Sequence, residues 1–161
     1  MSSIMTAVVT VSDSRSIADD VSGAKLVELL NAFGAEITER LVVTDELEPL
    51  RQILLDLTER SDVDLILTTG GTGLAPRDNT PEATIAVIEK HASGIAEAMR
   101  RETASKTPMA MLSRGVAGIR GKTLIINLPG STKAVEECFE VIRPVLKHAV
   151  ALIIGEKDGH I

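Results

Sequence analysis

The chain has 161 residues, of which 44% are apolar and 25% are charged, and its formal net charge is −6. This composition predicts a single globular domain that covers residues 1–161 and has a substantial apolar core. The chain has no Trp or Tyr and only two Phe residues. Few aromatic rings and a negative net charge both argue against a nucleic-acid partner. A single Cys excludes an internal disulfide and a cysteine-rich metal site.

The ends of the chain carry no pattern of a targeting or membrane segment. Residues 1–6 lack a basic region, and the apolar run at residues 149–154 is far too short to span a bilayer. We therefore expect a cytoplasmic protein without a membrane partner.

The pattern of apolar and polar residues predicts alternating strands and helices. The predicted strands are 7–11, 37–43, 65–69, 116–119 and 123–128, and the predicted helices are 22–33, 47–57, one starting at Thr80 and Pro81, 94–105, one starting at Ser131 or Thr132, and 144–154. This alternation is typical of an α/β fold with a mostly parallel sheet, helices on both faces and, from the last two strands, one antiparallel strand. Ligands of such sheets bind beyond the carboxyl ends of the strands, so the loops that follow the parallel strands are the candidate sites.

The loop after the third strand is rich in glycine. It begins with Gly70, Gly71, Thr72 and Gly73. Three glycines in four positions allow backbone N–H groups to approach an anion closely, although the same pattern also fits a turn that needs positive φ. No Lys-Ser or Lys-Thr pair follows, so the loop is not a Walker motif, and it is not the dinucleotide-binding motif either.

Two aspartates lie after predicted strands. Asp78 stands between the glycine-rich loop and the helix at Thr80. A carboxylate beside an anion cradle is repulsive unless a cation lies between them, but a carboxylate at a helix N-terminus is also common for stability alone. Asp45 follows the second strand and is either a ligand at a strand end or a plain helix N-cap.

The loop after the last strand has a similar character. Gly130, Ser131, Thr132 and Lys133 bring a flexible backbone, two hydroxyls and a positive charge to a helix N-terminus. The pattern fits an oxyanion cradle and also fits a structural turn. Lys133 ends the segment 100–133, which has seven basic residues and one acidic residue and is either a solvated face or a local anion site.

Cysteine and histidine are not expected to act in chemistry. Cys138 falls on the apolar stripe of its helix, which predicts a buried and inert thiol. His91, His148 and His160 do not have the spacing of metal ligands.

Several blocks together resemble the MogA/MoaB family of molybdenum-cofactor biosynthesis proteins and the G domain of molybdenum-insertase fusions such as gephyrin. The blocks are 11–13 (VSD), 22–23 (SG), 69–73 (TGGTG), 76–84 (PRDNTPEAT) and 127–132 (NLPGST), and the resemblance runs from about residue 7 to residue 154. It implies a three-layer α/β/α molybdopterin-binding fold and a homotrimer. It also implies Mg²⁺-dependent transfer of AMP from ATP to molybdopterin, with release of pyrophosphate.

The resemblance implies functional roles for particular residues. Asp78 and Asp45 correspond to the family's functional aspartates and are expected to be catalytic and to bind Mg²⁺, although the residues around Asp45 differ from the usual family pattern. The expected substrate contacts are Ser12, Gly70, Gly71, Thr72, Gly73, Ser113, Arg114, Asn127, Pro129, Gly130, Ser131 and Lys133. Two alternatives stay open: a catalytically weak MoaB-type paralogue that binds molybdopterin, and a scaffold for the molybdenum-insertion enzyme.

Adenylyl transfer is chemically consistent with these residues. The second pKa of a phosphate monoester is about 6, so the nucleophile is already ionised at neutral pH and no strong base is needed. The barrier then comes from charge repulsion and alignment, which a carboxylate-bound Mg²⁺ relieves. Because Phe33 and Phe139 both fall on predicted core positions, the pterin and adenine rings are expected to lie on glycine backbone and aliphatic side chains. The basic segment 100–133 is expected to face the site.

Overall fold

The computed structural model describes residues 2–156, and within them six strands form one sheet flanked by five α-helices. In chain order the elements are β1 Met5–Val11, α1 Val21–Phe33, β2 Glu36–Val43, α2 Leu47–Thr58, β3 Leu65–Thr69, α3 Thr80–Val87, β4 Lys90–His91, α4 Ser93–Thr103, β5 Ala117–Arg120, β6 Thr123–Leu128 and α5 Thr132–Ile154. Short 3-10 turns cover Ile17–Asp19 and Pro108–Leu112. None of the helices in this part of the chain is long and apolar enough to cross a membrane.

The strand order is β2-β1-β3-β6-β5-β4. The first four strands in this order are parallel, and β5 runs antiparallel to both of its neighbours. The predicted α/β fold with one antiparallel strand is therefore confirmed. Four parallel neighbours bring four strand-end loops to a single edge of the sheet.

Side chains alternate in direction along each strand, so two separate apolar cores form, one on each face of the sheet. In β3, Leu65 and Leu67 pack against α1, α4 and α5, whereas Ile66 faces α2 and α3. Because successive side chains of a strand point to opposite faces, a continuous apolar strand covers both layers of helices. The result is the three-layer α/β/α arrangement.

The predicted break before residue 144 is wrong. Helix α5 is continuous from Thr132 to Ile154, with Pro144 inside it. A proline removes one helical hydrogen bond, but Ile142 before it and Leu146 after it lie buried on the same side of the helix. Continuous burial of this stripe therefore keeps the helix in one piece.

Two smaller differences from the prediction concern the start of helix α3 and the short strand β4. The sequence pattern predicts Thr80 as the N-cap of α3, but Asn79 occupies that position and Thr80 is the first helical residue. The Thr80 hydroxyl instead donates to the Gly70 carbonyl at 2.9 Å, so it fastens the helix to the glycine-rich loop. Strand β4 has only two residues, too few to show the period-two pattern from which a strand is predicted.

Candidate functional site

The site is the edge of the sheet where β2, β1, β3 and β6 end. The ladder continues into the loops, because Ser12 N–H donates to the Val43 carbonyl at 2.8 Å and Gly70 N–H donates to the Leu128 carbonyl at 3.2 Å. These bonds hold the first residue of each loop against its neighbour. The strand-end loops named from the sequence are thus brought together.

Gly70 and Gly71 form the tight part of the first loop. Their φ angles are +97° and +67°, a backbone region that residues with a Cβ rarely adopt. A Cβ at Gly70 would collide with the Val11 carbonyl, and a Cβ at Gly71 would collide with the Thr80 hydroxyl. These two glycines therefore have a structural reason to be glycine, whether or not an anion binds there.

The second loop packs directly on the first. The Thr69 hydroxyl donates to the Pro129 carbonyl at 2.7 Å, and the Ser22 hydroxyl donates to the Gly130 carbonyl at 2.6 Å. An added Cβ at Gly130 would touch the Gly70 backbone. The two glycine-containing loops thus form one unit.

Asp78 is fixed by hydrogen bonds with Ala75 and Arg114. Its Oδ2 accepts from Ala75 N–H at 3.1 Å, and its carbonyl accepts from Arg114 Nη2 at 2.8 Å. Arg114 also donates through Nε to the Gly73 carbonyl at 2.7 Å and through Nη1 to Glu82. Burial alone would raise the pKa of Glu82, but the hydrogen bond from Arg114 lowers it. The Arg114 guanidinium is therefore directed at the protein, and its predicted contact with substrate stays a prediction.

Asp13 connects the loops that follow β1, β2 and β3. Its carboxylate accepts Arg77 Nε at 2.5 Å and Arg77 Nη2 at 2.9 Å, and it accepts the backbone N–H of Asp45 at 3.0 Å. The hydrogen bonds from Arg77, followed by that from Asp45, lower the pKa of Asp13 to about 2. Asn79 Nδ2 adds a bond to the Asp45 carbonyl at 2.9 Å. Asp45 is thus held by Asp13 and Asn79, neither of which is among the predicted site residues.

Asp45 and Asp78 lie near enough to influence each other. Partial burial raises the pKa of Asp45, and the negative charges of Asp13 and Asp78 raise it further. Such a carboxylate is more stable when a cation is close to it. Among residues 2–156, however, no group of three or more His, Cys, Asp or Glu side chains is arranged to hold a metal ion.

A cavity of about 350 Å³ opens between the two loops, and we call it the glycine-loop cavity. It is lined by Gly71, Thr72, Gly73, Asp78, Met109, Leu112, Ser113, Pro129 and Gly130. All of these except Met109 and Leu112 are predicted site residues. Those two escape prediction because they come from a 3-10 turn far along the chain and follow no recognisable motif.

A smaller cavity of about 150 Å³ lies at the end of β1. It includes the predicted Ser12 together with Ser22, Gly70, Gly130 and Arg15. The Ser12 hydroxyl already accepts the N–H of Arg15 at 3.2 Å. Ser12 and Gly70 therefore belong to the strand-end site but do not line the glycine-loop cavity.

The remaining predicted contacts have different surroundings. Asn127 is buried, and its amide bonds to Val116, Thr68 and Thr84, which leaves it little capacity for a ligand. The Ser131 hydroxyl caps α5 by accepting from Ala134 N–H at 3.2 Å. Lys133 is exposed, with its Nζ 3.9 Å from Glu137.

The basic segment 100–133 does not face the site as a whole. Arg120 lies at the opposite end of β6, where it pairs with Glu59 and Glu89. Arg100 donates to the carbonyls of Ser113 and Gly115. Because β5 and β6 form an antiparallel hairpin, the middle of the segment lies at the opposite edge of the sheet from the strand-end loops. The expectation that the whole segment faces the site is therefore wrong.

Cys138 is buried as predicted. Its exposed fraction is 5%, and burial, followed by the charge of Glu137, raises the pKa of its thiol to about 11. Among the histidines, His91 lies in β4 and His148 in α5, while His160 is outside the described residues.

Similarity to known proteins agrees with this architecture. A family profile described as "Probable molybdopterin binding domain" matches residues 7–148. The chain belongs to this molybdopterin-binding family. It is 41% identical over 159 residues to the molybdopterin adenylyltransferase of Helicobacter pylori, covering 96% of this chain and 90% of that protein.

Other members of the family differ in size. The chain is 44% identical over 156 residues to the molybdenum cofactor synthesis protein cinnamon of Drosophila melanogaster, covering 95% of this chain but only 26% of that protein. It thus spans about a quarter of that relative. The crystal structure of the molybdopterin biosynthesis enzyme MoaB from Thermus thermophilus superposes with a TM-score of 0.86 at 45% identity, over 94% of this chain and 96% of that one. The family and the three-layer fold expected from the sequence are both confirmed.

Proposed function

We propose that this protein transfers the adenylyl group of ATP to the terminal phosphate of molybdopterin, releasing pyrophosphate. The observation that carries the proposal is the position of Asp78 at the wall of the glycine-loop cavity. The name of the Helicobacter pylori relative supports the reaction. The reaction belongs to molybdenum cofactor biosynthesis.

The donor set fits Mg²⁺. Carboxylate oxygens are its preferred protein ligands, and it commonly keeps several waters while using one or two carboxylates. Asp45 and Asp78 are two half-buried carboxylates whose mutual repulsion a cation relieves. We assign these two residues to Mg²⁺, which when bound neutralises charge between the phosphate groups of the two substrates.

The residues of the chain then act by positioning. The backbone of Gly71 to Gly73 and of Gly130 lies along the cavity and is available to phosphate oxygens. Arg114 and Asp13 hold the segments that carry Asp78 and Asp45. Proton abstraction is unnecessary because the attacking phosphate is already ionised.

One assay tests the reaction. The protein is incubated with molybdopterin, ATP and Mg²⁺, and pyrophosphate and adenylylated product are measured. We expect Asp78→Ala to abolish turnover and to keep pterin affinity within about twofold, whereas Asp56→Ala, on the exposed face of α2, is the matched control with wild-type turnover. Near-wild-type turnover of Asp78→Ala at saturating Mg²⁺ would refute the assignment. Tight pterin binding without product would instead indicate a binding paralogue, and neither signal would indicate a scaffold.

Assembly and location are part of the proposal. The family resemblance supports a cytoplasmic homotrimer that passes its product to a molybdenum-insertion enzyme. Light scattering in solution tests the trimer, which should have three times the chain mass of 17.1 kDa. Pull-down with the insertion enzyme, compared with and without product, tests the transfer.

A further inference from the structure

A second cavity lies beside the glycine-loop cavity, and we call it the apolar cavity. It has a volume of about 320 Å³ and lies between α4, α5 and the 3-10 turn Pro108–Leu112. Most of its walls are aliphatic, with Met99, Ala110 and Ala134 among them. A volume of this order is at the lower end of the range for small-molecule sites.

The two cavities are adjacent. Met109, Ser113 and Pro129 line both of them. The apolar cavity is therefore next to the cavity whose wall carries Asp78. Molybdopterin has a ring system at one end and a phosphate at the other, which matches an apolar compartment next to one lined by glycine backbone.

Glu137 is the only carboxylate among the described residues that line the apolar cavity. Only 13% of its side chain is exposed, and its nearest cation, Lys133 Nζ at 3.9 Å, belongs to a side chain that is 83% exposed. Arg100, which also lines the cavity, is bonded to backbone carbonyls instead. Apart from this distant lysine, the Glu137 carboxylate at the cavity wall is available to a ligand that brings hydrogen-bond donors.

We propose that Glu137 binds the 2-amino-4-oxopyrimidine edge of the pterin and so determines which ring enters the apolar cavity. This edge offers two parallel donors, the ring N3–H and the 2-amino group, which match the two oxygens of a carboxylate. Adenine offers one amino group next to a ring nitrogen that is an acceptor and repels a carboxylate. The apolar cavity thus takes pterin and rejects adenine. The inference rests on the proposed function for the identity of the substrate.

The aliphatic walls suit the faces of the ring. The chain has no Trp or Tyr to stack on a pterin, and Phe33 and Phe139 pack on each other with ring centroids 6.2 Å apart. Met99, Ala110 and Pro129 supply apolar surface instead. Glu137 then supplies the polar recognition that stacking alone lacks.

A pair of fluorescent ligands tests this role without ATP or Mg²⁺. Pterin carries the 2-amino group, and lumazine has a carbonyl in its place, so lumazine sets an acceptor against the carboxylate. We expect the wild-type protein to bind pterin roughly tenfold more tightly than lumazine, because a hydrogen bond to a charged group is lost and an acceptor is left unpaired. In Glu137→Gln the preference should fall to about twofold or less, because an amide oxygen can accept only one of the two donors.

The matched control is Glu140→Gln, one turn farther along α5. Glu140 is exposed and bonds to Arg143 at 3.0 Å, so this variant removes the same charge from the same helix and should keep the preference for pterin. Thermal melts of both variants check folding. The inference would be overturned if the wild-type protein bound pterin and lumazine equally or bound neither. It would also be overturned if Glu137→Gln kept the preference for pterin. Failure of the proposed function is a different result, namely absence of pyrophosphate release by a wild-type protein that discriminates the two rings.

Discussion

Arg114 Nη2 donates to the backbone carbonyl of Asp78 at 2.8 Å, across 36 residues of sequence. The same guanidinium bonds to Gly73 and Glu82, and the Arg114 N–H donates to the Thr72 carbonyl at 2.8 Å. One residue thus fastens the glycine-rich loop, the segment of Asp78 and the start of α3. This arrangement makes Arg114 a positioning residue.

The first prediction follows from this contact. Arg114→Gln should lower kcat by about 10- to 100-fold, because small displacements of an aligned carboxylate are costly for group transfer. The KM for ATP should change less. Glu82→Gln, which leaves the bonds from Arg114 to the two carbonyls in place, is the control and should keep most of the turnover. Equal losses of kcat in both variants would argue for a general effect on folding.

The second prediction concerns the Asp13–Arg77 pair. The pKa of Asp13 is about 2, held low first by Arg77 and then by the Asp45 N–H. A carboxyl group with a lowered folded-state pKa stabilises the fold above its ordinary value of 3.8 and loses that contribution as the pH falls toward 2. In Arg77→Gln the midpoint of Asp13 should move up toward 3.8, as followed by carboxyl carbon NMR, and the acid transition should begin at higher pH. An unchanged midpoint would contradict the pairing.

The third prediction contrasts two glycines. Gly70→Ala should lower the free energy of unfolding by about 2 kcal/mol or more, because it combines a positive φ with a collision against the Val11 carbonyl. Gly94 lies in α4, and a Cβ there meets no atom within 4 Å. Gly94→Ala should therefore stabilise the protein by about 0.5–1 kcal/mol. Urea denaturation of both variants measures the contrast, and destabilisation by Gly94→Ala would show that its surroundings are more restrictive.

The fourth prediction concerns the thiol of Cys138. Burial raises its pKa to about 11, and the thiolate is the reactive form. At about pH 8 the native protein should react with a disulfide reagent far more slowly than the urea-unfolded protein. Rapid modification of the folded protein would contradict this burial.

Local patterns are sufficient to predict most of the fold. Strand β3 has its predicted ends because a run of five apolar and threonine residues is bounded by polar residues and glycines. The break predicted at Pro144 is wrong because the propensity of one residue says nothing of the burial of Ile142 and Leu146 on both sides of it. Tertiary packing decides such cases, and packing is not visible in a local window.

The candidate site is also only partly predictable, because local patterns place residues on strands and loops but do not show which distant residues they contact. The glycines and Asp78 follow a strand directly, so their place at the edge of the sheet follows from topology. The positioning role of Arg114 and the proposed role of Glu137 depend on which groups surround their side chains, and those groups come from distant parts of the chain. A charged residue has the same sequence signature whether it contacts solvent, protein or ligand.

The fifth prediction tests the metal assignment through the titration of Asp45 and through its effect on stability. Its pKa is raised above 3.8, first by burial and then by the charges of Asp13 and Asp78. A bound cation favours the ionised form, so Mg²⁺ should lower the titration midpoint of Asp45, and Asp78→Asn should lower it in the absence of Mg²⁺ by removing a neighbouring charge. Carboxyl carbon NMR with and without Mg²⁺ measures both shifts, with Ca²⁺-free buffer throughout. A midpoint that does not respond to Mg²⁺ would exclude Asp45 as a ligand.

The same raised pKa has a consequence for stability. A carboxyl group whose folded-state pKa is raised destabilises the fold at pH values above that pKa, and the penalty disappears as the pH falls through it. At about pH 7 and without Mg²⁺, Asp45→Asn should therefore increase the urea midpoint of unfolding, and this increase should vanish at about pH 3. The same variant should abolish turnover. Gain of stability with loss of activity is expected where like charges are held together for a cation. An equal or lower urea midpoint for Asp45→Asn at neutral pH would mean that the carboxylate is already compensated within the protein and does not need the metal.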